Sequence, residues 1–240
     1  MTQKLRLIKQ HHRCKHCLFR RFFVNAGLNT DEIDQTGQKT TTNIGPYQPG
    51  EYIYRTGDSC NSLYVVHTGS VKTETLTHEG DRYVSGFHLI GELFGAEGIY
   101  QRRFGSDAIA IETTWVCELS LDKWARISRS HPELQGELIT ELGRMLAHKE
   151  QQALSSHYHL LEHRLLSFLL DLRERVRIRE GDMRNEIELT MKKVDIAGYM
   201  GTAPESISRA LAKLEKTGYI INNRNRIRIL KEPSYLDMAI

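Results

Sequence analysis

The chain has 240 residues, of which 40% are hydrophobic and 26% charged, which is typical of a globular protein of one or two domains and excludes a disordered or collagen-like chain. No apolar run approaches the ~18 residues of a membrane span, so we expect no membrane partner and a cytoplasmic protein. Four cysteines are too few for a disulfide framework, which favours a reducing compartment.

The net charge of +3 is unevenly distributed. Residues 1–24 carry seven lysines and arginines and no acid. Residues 25–157 carry 11 basic and 18 acidic side chains, and residues 158–240 carry 15 and 12. An acidic middle with basic ends favours an anionic partner for the ends.

The segment from Tyr47 to Leu119 has the pattern of an all-β domain. Glycine-containing turn signals recur through it and separate short segments rich in β-branched and aromatic residues: 51–55, 62–66, 82–85, 107–111 and 114–119. This spacing predicts a small antiparallel β-barrel or jelly roll.

A long amphipathic helix is predicted to follow. Pro132 and Glu133 suit a first helical turn, and one apolar stripe continues to Leu154. We interpret the stripe as a coiled-coil seam of a homodimer, and the alternative is a helix that packs on its own barrel. Residues at or near the seam are Leu138, Leu142, Met145, Leu146 and Lys149, of which the last would weaken a dimer by charge repulsion. A second helical run follows, from about Leu160 to Val176.

Residues 190–218 carry the most specific pattern, that of a helix-turn-helix. Thr190 is the expected N-cap, and Gly201 is the expected helix end. Thr202 and Glu205 have the spacing of a capping box that starts the second helix. The predicted inner faces are Val194, Ile196, Ala197 and Met200 in the first helix and Ile207, Leu211 and Leu214 in the second.

The outer face of the second helix is predicted to contact DNA bases. Glu205, Ser208 and Arg209 have i, i+3, i+4 spacing and share one face. Arginine suits guanine and glutamate suits the cytosine amine, although Glu205 alone could simply cap the helix. Residues 219–230 read as strand, turn and strand, which predicts a wing. The predicted DNA-binding residues are Thr202, Glu205, Ser208, Arg209, Lys213, Arg224 and Arg226.

These patterns predict an α+β protein with four parts. They are a basic, cysteine-containing arm (1–24), a β-barrel sensory domain (25–127), a dimerisation helix (128–157) and a winged helix-turn-helix DNA-binding domain (158–240). The pattern lacks a phosphate-binding loop, a nucleophile elbow or a metal-ligand pair in a strand, so we expect no enzyme.

The chain resembles the Crp/Fnr family of bacterial transcription regulators, and within it the oxygen-sensing Fnr branch. The similar motifs lie at 57–58, 63–64, 69–72, 86–95, 112–119 and 205–209, the last matching a Glu-x-x-Ser-Arg recognition motif. The resemblance implies a jelly roll like a cyclic-nucleotide-binding domain, palindromic sites with TTGAT-like half-sites, and contact with RNA polymerase from the barrel.

The Fnr resemblance also implies a 4Fe-4S cluster on four cysteines. Cys14, Cys17 and Cys117 match three of the four positions, and the fourth position is occupied by Phe23. Cys60 and His16 are candidates for the missing ligand. Zinc, a redox-active pair of Cys14 and Cys17, and no metal at all stay open as alternatives.

Cyclic-nucleotide binding is disfavoured. Gly91, Glu92 and Leu93 match the nucleotide-binding turn, but Gly105 stands where that branch has its phosphate-binding arginine. Asp107 adds a negative charge that would repel a phosphate. The prediction is therefore a regulator that responds to oxygen, redox state or nitric oxide. The alternatives are a regulator that responds to a cyclic nucleotide or another small effector, and a constitutive DNA binder without a cluster.

Overall fold

The computed structural model describes residues 8–10, 20–76, 80–156, 160–180 and 185–232. The chain forms two compact units, Met1–Thr75 with Ser85–Met145, and Leu76–Val84 with Leu146–Ile240. The domain boundaries predicted from the sequence stay predictions. Within the described ranges, no helix is both long enough and apolar enough to cross a membrane.

The elements of the N-terminal part are nine strands and four helices among the described residues. The strands are β1 (Ile8–Gln10), β2 (Thr41–Tyr47), β3 (Tyr52–Tyr54), β4 (Ser62–Thr68), β5 (Val71–Leu76), β6 (Arg82–His88), β7 (Leu93–Phe94), β8 (Asp107–Ala110) and β9 (Thr114–Ser120). The helices are α1 (Arg20–Asn25), α2 (Thr30–Thr40), α3 (Gly98–Gln101) and α4 (Leu121–Ile127).

The strands form two sheets, of order β1-β2-β9-β4-β7 and β3-β8-β5-β6. The pairs β2–β9, β4–β9 and β5–β8 are antiparallel. The prediction of an antiparallel β domain is confirmed in its jelly-roll form, because the described strands make two sheets and not one closed barrel. The five strand segments predicted from the sequence all lie in this domain.

The five-stranded sheet separates two hydrophobic cores. Successive side chains of a strand point to opposite faces. On β9, Val116 therefore packs in the core between the sheets, whereas Cys117 packs in the core that the helices cover. The helix-covered core contains Phe22, Phe23, Trp124 and Leu134 among its buried residues.

The C-terminal part begins with two long helices, α5 (Glu133–Ser156) and α6 (Leu161–Glu180). The remaining elements are β10 (Glu186–Glu188), α7 (Lys193–Met200), α8 (Pro204–Lys216), β11 (Ile220–Asn223) and β12 (Arg226–Ile229). The last strands form a sheet of order β10-β12-β11. The long helix, the two helices of the helix-turn-helix and the wing are therefore confirmed.

Both predicted N-caps of the helix-turn-helix are wrong. Helix α7 is preceded by Lys192 instead of Thr190, and α8 by Ala203 instead of Thr202. Pro204 occupies the first turn of α8, where its fixed φ and missing N–H suit a helix start, so the helix begins one residue later than a capping box would require. Val194, predicted to be inside, is 58% exposed.

Candidate nucleic-acid interface and cysteine site

The turn between α7 and α8 depends on Gly201. Its φ of +62° is left-handed, a conformation that costs little only for glycine. The N–H groups of Gly201 and Thr202 both donate to the carbonyl of Ala197, which closes the end of α7. The predicted role of Gly201 as a helix end is confirmed.

Helix α8 separates an apolar face from a polar face. Ile207, Leu211 and Leu214 are at most 3% exposed, as the spacing predicted. Glu205, Arg209 and Lys213 are exposed, and Ser208 is half-buried. Thr202 is half-buried in the turn before the helix. Lys216 is also exposed at the end of the helix, so the polar outer face carries three cations and one acid.

Two side chains that the sequence did not single out hold the outer face in place. Lys193 Nζ of α7 donates to Ser208 Oγ at 3.1 Å. Arg209 Nη2 donates to Ser206 Oγ at 3.2 Å. The second contact could have been found from the i, i+3 spacing of Ser206 and Arg209, whereas the first depends on the packing of two helices. Both contacts limit the rotamers of residues predicted to contact bases.

The wing is a two-residue hairpin. Asn223 pairs with Arg226, so Arg224 and Asn225 form the loop. Arg224 is exposed and has a φ of +58°. Arg226 and Arg228 are also exposed, while Ile227 and Ile229 are buried. The hairpin therefore covers the domain with one face and presents arginines on the other.

Three cations of this interface are paired with carboxylates. Lys213 Nζ lies 2.9 Å from Glu162 Oε1 of α6. Arg228 Nη2 donates to Glu186 Oε2 at 3.1 Å, and Arg226 Nη1 lies 3.9 Å from the other oxygen of Glu186. The hydrogen bond from Lys213 lowers the pKa of Glu162 from its ordinary value against the opposing effect of burial.

The predicted seam on α5 divides into two faces. Leu138 and Met145 pack against the helix-covered core of their own chain. Leu146 is 62% exposed and Leu142 is half-buried. Ile139, which the sequence analysis missed, is 69% exposed. Ile139, Leu142 and Leu146 follow the spacing of coiled-coil a and d positions, and Lys149 takes the next such position.

Helices α5 and α6 are linked by a polar cluster. Asp171 lies 2.8 Å from His148 Nε2 and accepts a hydrogen bond from Arg175 at 3.1 Å. Burial raises the pKa of Asp171, but the hydrogen bond from His148 and the charge of Arg175 outweigh it, so the pKa is lower than usual. The carboxylate is therefore held ionised between the two helices.

The structure does not bring Cys60 and Cys117 together, since they lie in different cores. Cys60 Sγ contacts the carbonyls of Ser62 and Gly95 at 3.8 and 3.7 Å, and a Cβ on Gly98 would lie 2.9 Å from it. Burial raises the pKa of the Cys60 thiol, which disfavours the thiolate that binds metals. Cys60 therefore has the environment of a core residue.

Cys117 faces the helix-covered core beside a buried polar group. Asn43 pairs directly with Cys117 across β2 and β9, so their side chains share a face. Asn43 is 3% exposed, and neither atom of its amide has a hydrogen-bond partner among the described residues. The indole N–H of Trp124, in the same core, also lacks one there. Orphaned polar atoms beside a thiol suit a polar bound group.

Phe23, at the position of the missing cysteine, is a core residue. It is 1% exposed, and its ring lies 6.0 Å from Phe22 and 6.2 Å from Trp124. Cys14, Cys17 and His16 lie outside the described residues. Within the described ranges, no three histidine, cysteine or acidic side chains are grouped to hold a metal. Of the two predicted ligands within the described ranges, Cys60 and Cys117, only Cys117 faces the helix-covered core.

The space between the two sheets contains stacked aromatic rings. Tyr54 and Phe104 stack at 3.7 Å, and Tyr64 and Phe94 lie within 5.6 Å of each other. Glu97 accepts hydrogen bonds from Tyr54 at 3.1 Å and from Ser106 at 2.9 Å. Asp107, at the position predicted to repel phosphate, accepts from the Thr56 N–H. Aromatic rings and carboxylates between the two sheets do not favour binding of the negatively charged phosphate of a cyclic nucleotide.

Comparisons with known proteins agree with this architecture. Residues 45–131 match the cyclic nucleotide-binding domain family, and residues 163–234 match the Crp-like helix-turn-helix domain family. The chain is 32% identical to electron transport regulator A of Shewanella oneidensis (86% of this chain, 82% of that protein). It is 31% identical to the fumarate and nitrate reduction regulatory protein of Escherichia coli K12 (94% and 90%).

A solved structure has the same fold. FixK2 from Bradyrhizobium japonicum matches with a TM-score of 0.69 and 25% identity over 80% of this chain and 92% of that one. The named relatives are regulators and not enzymes, as expected.

Proposed function

The chain belongs to the Crp/Fnr family of DNA-binding transcription regulators, and from this we propose that it is a homodimer that reads palindromic sites with TTGAT-like half-sites and responds to oxygen, redox state or nitric oxide. The observation that supports DNA reading best is the outer face of α8, where Glu205 and Arg209 are exposed and Ser208 is held by Lys193.

Each interface residue has a chemical role in this proposal. Arg209 binds guanine through two parallel hydrogen bonds, and Glu205 accepts from a cytosine amine. Ser208 and Thr202 contact bases or the adjacent backbone. The remaining cations, Lys213, Arg224 and Arg226, bind phosphates and set the register of the protein on the duplex.

The homodimer is proposed to form along α5. Two recognition helices must be about one turn of DNA apart to read two half-sites, so each site needs two chains. Ile139, Leu142 and Leu146 supply the seam, while Leu138 and Met145 support it from the core side. Lys149 lies in the seam and lowers the stability of the dimer, which leaves association open to regulation.

The signal is proposed to act at the face of Cys117. Gln10 pairs with Asn43, which pairs with Cys117, so the backbone at Gln10 is two strands, or about 10 Å, from the backbone at Cys117. Four residues of extended chain span about 14 Å, so Cys14 is within reach. Cys14, Cys17 and Cys117 would hold a 4Fe-4S cluster, with His16 as candidate fourth ligand in place of Cys60. Such a cluster supplies a group that oxygen or nitric oxide can alter.

Other parts of the proposal rest on the family. Regulators of this type act in the bacterial cytoplasm, and the jelly-roll surface is proposed to contact RNA polymerase. A cyclic nucleotide is the less favoured effector, because aromatic rings occupy the interior and Gly105 supplies no charge for a phosphate.

The DNA proposal is tested by mobility shift with a TTGAT palindrome and a scrambled duplex of equal composition. We expect wild type to prefer the palindrome, and Arg209→Ala to lose about 1–3 kcal/mol on it with relaxed preference at one base pair. If Arg209→Ala keeps the wild-type base preference, Arg209 does not read bases. If wild type does not discriminate between the duplexes, the proposed site is wrong.

The signal proposal is tested on protein purified without oxygen. Iron, sulfide and zinc are assayed, the visible spectrum is recorded, and air is then admitted. Iron and sulfide near four each, with bleaching in air and loss of both in Cys117→Ala, would support the cluster. A colourless, metal-free protein that already binds the palindrome would refute it and favour thiol oxidation or constitutive binding.

A further inference from the structure

Lys213 and Arg226, which are proposed to bind phosphate, and the neighbouring Arg228 are held by acids of the same chain. Building on the proposed DNA interface, we propose that Glu162 and Glu186 are specificity-determining residues. They hold Lys213, Arg226 and Arg228 in intramolecular pairs, so that these cations meet phosphates without leaving their pairs only when α8 is seated on its own site. Their effect is to weaken binding to unrelated DNA more than binding to the cognate palindrome.

Glu162 is placed to compete for Lys213. Its carboxylate belongs to α6 and is 20% exposed, and it meets the Lys213 ammonium at 2.9 Å. The lysine side chain remains 58% exposed, so a phosphate can approach it from solvent. The ammonium has three N–H donors, so it can keep the carboxylate and still donate to a phosphate that lies in the right place. Glu162 therefore limits the reach of Lys213 without abolishing it.

Glu186 is placed to compete for two wing arginines at once. It lies directly opposite Arg228 in the β10–β12 ladder and bridges to Arg226 with its other oxygen. Both arginines are more than half exposed. Glu186 and Glu188 of β10 face Arg228 and Arg226, and Arg224 in the loop adds a third arginine, which leaves the wing net positive. The wing can therefore still bind DNA, but with its arginines directed along the sheet.

These restraints affect the two kinds of complex differently. Binding to unrelated DNA comes almost entirely from phosphate contacts, which long flexible cations make in any register. A cation held by a neighbouring acid can contact a phosphate in fewer registers of the protein on the duplex, so it contributes less to the affinity for unrelated DNA. On the cognate site, base contacts fix the register and keep the phosphates in one place. The pairs therefore raise the ratio of specific to non-specific affinity.

The test measures the affinity of wild type, Glu162→Gln and Glu186→Gln for the TTGAT palindrome and for the scrambled duplex over a salt series. Glu174→Gln is the matched control, because it removes the same charge from an exposed pair (Glu174 with Arg177, 3.6 Å) within α6. We expect each test variant to bind the scrambled duplex roughly three- to tenfold more tightly, with a salt slope steeper by ~0.9 per released cation. Binding to the palindrome should tighten by less than about twofold.

Three outcomes would overturn the inference. If Glu174→Gln tightens scrambled binding as much as the test variants, the effect is general charge. If the test variants tighten both duplexes equally, the pairs do not affect specificity. If wild type fails to discriminate, the proposed function fails and the inference falls with it. Thermal unfolding checks the fold, and Glu186→Asp, which keeps the charge but shortens the reach, should loosen the same pair if Glu186→Gln does not fold.

Discussion

Replacing Leu146 by alanine tests the proposed seam on α5. Leu146 is 62% exposed in the single chain, and the change removes three carbons. At ~0.8 kcal/mol per buried CH₂ group, covering the exposed part of these carbons contributes about 1.5 kcal/mol per copy, or about 3 kcal/mol per dimer. Because 1.4 kcal/mol corresponds to a factor of ten, the dimer dissociation constant should rise about a hundredfold.

Sedimentation equilibrium over a concentration series measures this constant. Val194→Ala is the matched control, because Val194 is similarly exposed at 58% but lies on α7, so its loss should leave association unchanged. Lys149→Leu should act in the opposite direction and tighten the dimer, because it replaces two facing charges with apolar groups. An unchanged constant for both Leu146→Ala and Lys149→Leu would refute the assignment of this face to the dimer.

Three further predictions concern other parts of the molecule. Arg226→Gln should reduce the salt slope on the palindrome by ~1 and weaken binding to the scrambled duplex by less, because the pair with Glu186 limits Arg226 there. An unaltered slope on the palindrome would make Arg226 structural. Asp171→Asn should lower the melting temperature at neutral pH. The pKa of Asp171 in the folded protein lies below its ordinary value, so the ionised carboxylate stabilises the fold fully above pH ~4. This stabilisation is lost as the pH falls through the pKa of the folded state, so the melting temperatures of wild type and Asp171→Asn should converge in acid. A difference that stays constant with pH would contradict this assignment. Asn43→Leu should raise the melting temperature of the metal-free protein, because it removes a buried amide that has no hydrogen-bond partner among the described residues. The same change should shorten the lifetime of any iron-loaded form in air. Equal lifetimes would argue against a hydrogen bond from this amide to the bound group.

The helix-turn-helix could be predicted because its signals are local. The spacing of Ile207, Leu211 and Leu214 follows from helical geometry alone, and a left-handed turn requires a residue such as Gly201. The N-caps were predicted wrongly, because Thr202 has the right chemistry at the wrong place. The helix begins at Pro204, because proline favours the first helical turn. The capping-box pattern of Thr202 and Glu205 takes no account of this preference.

The surroundings of the cysteines could not be predicted, because they depend on which strands meet. The sequence offers Cys117, by its match to the Fnr pattern, and Cys60, as a candidate for the missing ligand, and only the pairing of the strands places them in different cores. Asn43 gave no signal for the same reason. The short strand β10 was also missed, since a Glu-Ile-Glu segment has little β character until β12 pairs with it.

In the loop of the wing, the backbone conformation of residue 224 favours glycine, whereas contact with a phosphate requires the arginine side chain. A left-handed φ at a residue with a side chain costs about 1 kcal/mol, which a glycine would avoid. The same glycine would remove the guanidinium from the outermost point of the hairpin. At this position, therefore, the stability of the hairpin and the affinity for a phosphate cannot both be maximal. Arg224→Gly should stabilise the hairpin and lower the affinity for the duplex.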